Sequence, residues 1–244
     1  MKGLGLLGKF LPGRIKSKFK DYLGVPSMEW GLRNLYRNGF RPEHIWDIGA
    51  YEGGWALLAA ATFPGAKILM IEPQVAKRDK LGQLTVIHKG KLHYIQALCG
   101  RQKKDKATFF TNETVSSVLE EWYSMAAVGL EMPMTTLDDI APISPIASPQ
   151  LIKLDVQGYE LEVLAGASTM LSHDPPEVIV IEVSLIDINK GAPLWSEVDL
   201  WLSAHGYKLH DICGLIRRPS DRALWQTDSI YVRRDSSLVV SKCW

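Results

Sequence analysis

The sequence predicts an α/β fold: a mostly parallel seven-stranded sheet with helices on both faces, ending in an antiparallel C-terminal strand. Three observations predict it. Short, almost wholly apolar runs recur along the chain and are separated by Ala/Leu-rich or amphipathic stretches. Such runs are strands buried on both faces, the condition of a parallel sheet covered by helices. The last two strand-like runs, 207–213 and 229–233, have no helical sequence between them. No helical crossover can then join them in parallel, so the final strand runs against its neighbours.

Taken in order, residues 27–39 read as a helix and 44–49 as a buried strand stopped by glycine. Residues 53–63 are rich in Ala and Leu and read as a helix closed by Pro64 and Gly65. KILMIE at 67–72 is a second strand, 75–88 a helix, and 92–98 a third strand. Two shorter strands, 107–111 and 132–137, flank a loop that carries Trp122 and Tyr123, a candidate lid with aromatic faces suited to sugars. The Pro/Ser-rich stretch 142–149 is a loop inside the domain. Residues 151–156 form a fourth core strand, 159–171 a helix, 177–183 a fifth strand, and 195–205 a helix closed by Gly206.

A chain of 244 residues holds one substantial domain with little to spare. We divide it into a basic, helical N-terminal segment at 1–40 and a main domain at 41–244. The formal net charge of +1 argues against a nucleic-acid partner. Charge is unevenly spread, however. Lys2, Lys9, Arg14, Lys16, Lys18 and Lys20 fall in the first twenty residues with no acidic side chain among them. That segment reads first as a frayed or capping helix; the alternative is a basic amphipathic segment in peripheral contact with an anionic inner-membrane surface. Its apolar part is broken by Gly5, Gly8 and Lys9, unlike a secretory signal. Cys99, Cys213 and Cys243 are odd in number and far apart, which makes neither a disulfide framework nor a zinc pattern. A cytoplasmic setting and no metal are expected.

Ligands of open α/β sheets sit beyond the carboxyl ends of the strands. Three segments meet there. The turn DIGAYEGG at 47–54 places Gly49 and Gly53 where a backbone must pass close to a ligand. The helix that follows offers free N–H groups to a carboxylate, such as the amino-acid end of S-adenosylmethionine. Asp47 is placed for the ammonium, with Ala50 and Tyr51 in the turn itself. Glu72, followed by Pro73, ends the second strand, where a carboxylate can accept both ribose hydroxyls. Ala97 and Leu98 follow the third strand and suit an adenine. Tyr51 stands where a dinucleotide fingerprint needs glycine, which disfavours a nicotinamide-dependent oxidoreductase.

The chemistry is expected from LIKLDVQGYELEVLAGA at 151–167. Lys153 and Asp155 are two apart on one strand and share a face. Gly158 makes the turn, and Glu160 opens a helix where its charge suits the dipole. Methyl transfer mainly requires that the acceptor be positioned, and a hydroxyl acceptor also loses a proton. Asp155, Glu160 and Glu182, with Lys153 beside them, are the groups placed to assist.

These residues resemble the FkbM family of S-adenosylmethionine-dependent methyltransferases. The likeness lies in DIGAYEGGWALLAA (47–60), IEPQ (71–74), ALCG (97–100), Ser116 and Ser117, TTLDDI (135–140), the 151–167 block and VIVIEV (178–183). It implies a Rossmann-like class I methyltransferase fold, with Asp47, Gly49, Gly53 and Glu72 lining the cofactor and Asp155 facing the methyl. Ser117 joins the cofactor set on the same basis. The family usually carries an acidic residue where this chain has Gln157. An amide orients a hydroxyl but cannot take its proton, which moves the role of base to Asp155, with Glu160 or Glu182 in support.

The function expected is therefore methylation of a hydroxyl on a sugar, glycolipid or secondary metabolite. The alternative is a cofactor-binding module without catalysis.

Overall fold

The computed structural model describes residues 25–111, 116–119, 128–187 and 189–239. The basic segment 1–20, Trp122, Tyr123 and Cys243 lie outside the described residues.

Ser27 opens the first helix, α1 (Met28–Arg37), its Oγ accepting the Trp30 N–H at 3.2 Å. Then follow β1 (His44–Ile48), α2 (Gly54–Thr62), β2 (Lys67–Ile71), a 3-10 turn (Val75–Lys77), α3 (Arg78–Ile87) and β3 (Leu92–Ile95). A pair of short and long strands comes next, β4 (Leu98–Cys99) and β5 (Lys104–Thr111), followed by β6 (Val128–Thr135) and the one-turn α4 (Leu137–Ile140). The chain ends through β7 (Leu151–Leu154), α5 (Glu160–Ala165), α6 (Ser168–His173), β8 (Val178–Ser184), α7 (Trp195–Ala204), β9 (Tyr207–Arg217) and β10 (Leu224–Arg233).

Seven strands form one sheet in the order β3-β2-β1-β7-β8-β10-β9. β1, β2, β3, β7 and β8 are mutually parallel, and β10 runs antiparallel to both β8 and β9. This is the mostly parallel seven-stranded α/β architecture with an antiparallel C-terminal strand that the sequence predicts, the last strand inserted between β8 and β9. Both sheet faces are sealed. Ala56, Ala59 and Ala60 let α2 lie close on one face with Leu32 and Leu35 of α1. Val163, Leu164, Val198 and Leu202 of α5 and α7 cover the other. Among the described residues, no helix is long and apolar enough to cross a membrane.

Strands at 104–111, 128–135, 207–217 and 224–233 run at one end beyond the expected 107–111, 132–137, 207–213 and 229–233, and four further changes stand out. The run 92–98 is not one strand: the ladder to β2 ends at Ile95, and Leu98 and Cys99 pair instead with β6. β4, β6 and β5 make a separate three-stranded sheet. The run 132–137 stops at Thr135, because Thr136 caps α4 by accepting the Asp139 N–H. The helix expected at 159–171 is broken at Gly166 and Ala167. There a Cβ on Gly166 would stand 2.1 Å from the Gly100 carbonyl oxygen, so the two backbones meet. Lastly, α3 begins only after the 3-10 turn at Val75–Lys77.

Candidate active site

The carboxyl ends of β1, β2 and β7 surround a cleft partly open to solvent. Gly49, Tyr51, Glu72, Pro73, Ala97 and Asp155, all expected site residues, line it. Gln74, Leu98, Phe109, Ser116 and Gln157 join them.

Backbone contact between strands brings the two main turns together. Gly49 has φ +81, and a Cβ there would stand 1.9 Å from the Asp155 carbonyl oxygen, so only glycine fits. The Gly49 and Ala50 N–H groups both donate to the Ile71 carbonyl, at 2.9 and 3.1 Å. Tyr51 then adopts a left-handed φ of +48 and turns its N–H to Glu72 Oε2 at 2.8 Å. Glu72 Oε1 accepts the Gln74 N–H at 3.0 Å. Each carboxylate oxygen keeps a lone pair for a further donor, as a vicinal diol would supply. Burial raises the Glu72 carboxyl above its ordinary value, while the Gln74 and Tyr51 amides work to lower it. Gly53 closes the turn, its N–H donating to Ala50 at 2.7 Å, with its Cα pressed toward Leu84 and Met70. Gly53 and Ala50 therefore shape the turn from behind, and neither lines the cleft.

On the other side of the cleft, charge replaces backbone. Asp47 and Lys153 are paired in register on β1 and β7 and are both buried. Lys153 Nζ lies 2.8 Å from Asp155 Oδ2 and 3.8 Å from Asp47 Oδ1. Burial pulls the lysine down, but the Asp155 and Asp47 carboxylates outweigh it and hold the ammonium above its usual value. Asp47 is fully enclosed, and desolvation pushes it up to about 6. It does not reach the cleft. Asp155 does, with 29% of its side chain exposed.

Glu160 is buried and turned inward, its Oε1 accepting the Val156 and Gly158 N–H groups at 3.1 Å each. Burial lifts it to about 7. It ties up the turn after β7 and faces no cleft. Ser117 is likewise buried, its Oγ donating to the Gln157 carbonyl at 2.8 Å; Ser116 and Val118 line the cleft instead. Glu182 on β8 sits beside Asp155 across Gln157. Burial, then the neighbouring Asp155 and Asp228, push it to about 9.

Sequence reasoning missed Asp228, which β10 brings opposite Glu182 in register and which burial raises to about 6. A signal was present: Asp228, Ile230 and Val232 alternate, so the aspartate falls on a core-facing position. Asn189, whose amide holds the Gln157 carbonyl at 2.7 Å, carried no such signal. Among the described residues, no group of three or more His, Cys, Asp or Glu side chains is arranged to hold a metal ion.

A family model for the methyltransferase FkbM domain matches residues 47–209, well over half of the chain. The chain belongs to the FkbM methyltransferase family. It is an S-adenosylmethionine-dependent methyltransferase. Solved structures similar to this FkbM domain include a 1,6-didemethyltoxoflavin-N1-methyltransferase from Burkholderia thailandensis (11% identity, 90% of this chain and 84% of that one, TM-score 0.49). A precorrin-6y C5,15-methyltransferase from Geobacter metallireducens is also similar (14% identity, 84% and 85% covered, TM-score 0.44). So is an RNA methyltransferase described as putative from Pyrococcus horikoshii (12% identity, 84% and 82% covered, TM-score 0.46). A search of curated proteins finds none that matches the chain. It is the family match, rather than these distant likenesses, that assigns the chemistry.

Proposed function

We propose that this methyltransferase acts on oxygen, methylating a hydroxyl of a small-molecule acceptor such as a sugar, a glycolipid or a secondary metabolite. One observation carries the reading. Asp155 presents a partly solvated carboxylate to the cleft, fixed by Lys153 on one oxygen and by Gln157 on the other. A fixed carboxylate at the reacting end of the cleft is what removal of a hydroxyl proton requires.

The cleft suits the methyl donor. Glu72 has acceptor capacity left for the ribose hydroxyls, and Ala97 and Leu98 offer an apolar wall to the adenine. Gly49, Tyr51 and Pro73 also line the cleft, and the turn's backbone would hold the methionine end. When bound, the donor supplies an activated methyl group on a sulfonium. The chain's own residues then orient the acceptor, exclude water and hold its proton at Asp155. Lys153 keeps that carboxylate in place, with Asp47 behind it.

Calorimetry with S-adenosylhomocysteine and methyl transfer to hydroxyl acceptors test this together. Asp155→Asn should lower turnover by roughly 10²–10⁴-fold and leave S-adenosylhomocysteine affinity within about three-fold. Equal loss of turnover and affinity would make Asp155 structural. Binding of S-adenosylhomocysteine without transfer to any acceptor would leave only a binding module.

A further inference from the structure

Gln157 meets two carboxyls at once. Its Nε2 donates to Asp155 Oδ1 at 2.8 Å and to Glu182 Oε1 at 2.8 Å, which uses both amide hydrogens. Glu182 Oε1 receives a second amide from Gln226 at 3.1 Å, and Asp155 Oδ2 receives Lys153 at 2.8 Å. An ionised glutamate at this position has only acceptors and would face two more acceptors. The residue type is dictated by what it faces.

The backbone is fixed just as firmly. Gln157 has φ +55, in the left-handed region that L side chains rarely adopt. Its carbonyl accepts from Ser117 Oγ at 2.8 Å and from Asn189 Nδ2 at 2.7 Å. The following Gly158, φ +94, is walled in by Ala192 and Leu119. Two donors from separate parts of the chain hold this residue against its own preference, at the rim of the cleft.

We propose that Gln157 is a positioning residue, whose amide clamps the Asp155 and Glu182 carboxyls in one fixed relation so that Asp155 faces the acceptor. This rests on the assignment of Asp155 as proton acceptor and explains how two neighbouring carboxyls coexist there. The other charged or titratable groups facing the pair are Lys153 from β7, Asp47 from β1, Glu72 after β2, Asp228 from β10 and Glu160 from α5. Burial, then the Asp155 and Asp228 carboxylates, push Glu182 up to about 9, while Lys153 pairs with Asp155 at 2.8 Å.

The test compares the full-length chain with Gln157→Glu and Gln157→Met, following the Asp155 and Glu182 side-chain carboxyl carbons by NMR across pH. Gln157→Glu removes the donor and adds a like charge, so titration of the pair should move up by about one pH unit or more. Gln157→Met should move it in the same direction by less. S-adenosylhomocysteine affinity should stay within about three-fold in both variants. A pair that titrates as in the wild type, or a loss of affinity that accompanies every shift, overturns the proposal. If neither variant folds, the wild-type Gln157 side-chain amide decides. A resonance that follows the Glu182 titration upholds the clamp, and one that stays still between about pH 5 and 10 overturns it. No acceptor is needed, so failure of the hydroxyl assignment would show separately, as absent methyl transfer with the titration shift intact.

Discussion

The turn after β1 and the turn after β7 meet at the mouth of the same cleft but are built in opposite ways. The first, residues 49–53, is built of backbone: two glycines at positive φ, and peptide N–H groups tied to the Ile71 and Ala50 carbonyls and to the Glu72 carboxylate. The second, residues 155–160, offers side chains: Asp155, Gln157 and Glu160, wired to Lys153, Glu182, Ser117 and Asn189. Each contains one non-glycine residue in the left-handed region, Tyr51 and Gln157. Tyr51 is held by Glu72 just after β2 and by Lys77 in the 3-10 turn, whereas Gln157 is held by residues 40 before it and 32 after it in the chain. Tyr51 is thus held over a shorter span of chain than Gln157, although Gly49 ties the first turn to Asp155 as well.

Gly49 joins the two, and its replacement should have the largest effect. Gly49→Ala combines a strained φ of +81 with a Cβ 1.9 Å from the Asp155 carbonyl oxygen, so β1 and β7 must part at their ends. We expect a loss of roughly 3 kcal/mol or more, a fall of about 10 °C in thermal midpoint, and no measurable S-adenosylhomocysteine binding. A variant that keeps its midpoint but loses binding would show that the turns are mechanically separate.

The same contrast explains how much could be read in the sequence. DIGAYEGG and the glutamate 25 positions later are legible because strand, turn and helix follow one another directly, and because glycine has few other reasons to sit there. The sheet was legible for a similar reason: apolar runs and helical stretches alternate, and the last two runs lack a helix between them. The β7 turn is different. Glu160 reads in the sequence as a helix-start carboxylate placed to assist the chemistry, yet it is turned inward onto Val156 and Gly158. Ser117 and Asn189 have no local pattern, since their partner is a single carbonyl far away in the chain. The split of 92–98 between two sheets was hidden because pairing is decided by the partner strand, and β6 lies more than thirty residues on.

Protonation should separate the turns next. In the folded chain, burial raises Asp47 and Asp228 to about 6, Glu160 to about 7 and Glu182 to about 9, all above their ordinary values. The folded state therefore binds more protons than the unfolded chain from about pH 4 to 9, and stability declines as pH rises through that window. The thermal midpoint should be several degrees higher at pH 5 than at pH 8. Glu182→Gln should flatten part of that decline. Glu52, within the first turn, is held down to about 2 by Lys80 and Lys77, so Glu52→Gln should leave the slope between pH 5 and 8 unchanged. A midpoint that rises from pH 5 to pH 8 would mean that these buried carboxyls are better compensated than their surroundings indicate.

The smallest expected effect tests whether the first turn serves binding alone. Lys77 Nζ lies 3.8 Å from the centre of the Tyr51 ring and 2.9 Å from Glu52 Oε1, linking the 3-10 turn after β2 to the turn after β1. Lys77→Met keeps the apolar stem but removes the cation that steadies the ring. A partly exposed cation–π contact corresponds to about a two- to five-fold change in affinity, so S-adenosylhomocysteine should bind that much more weakly. The pH dependence of turnover should not move, because Lys77 touches none of Asp155, Gln157 or Glu182. A displaced pH profile in this variant would mean that Tyr51 transmits its position across Gly49 to Asp155. In that case the two turns act as one unit, and the division between binding and chemistry fails at the point where their backbones meet.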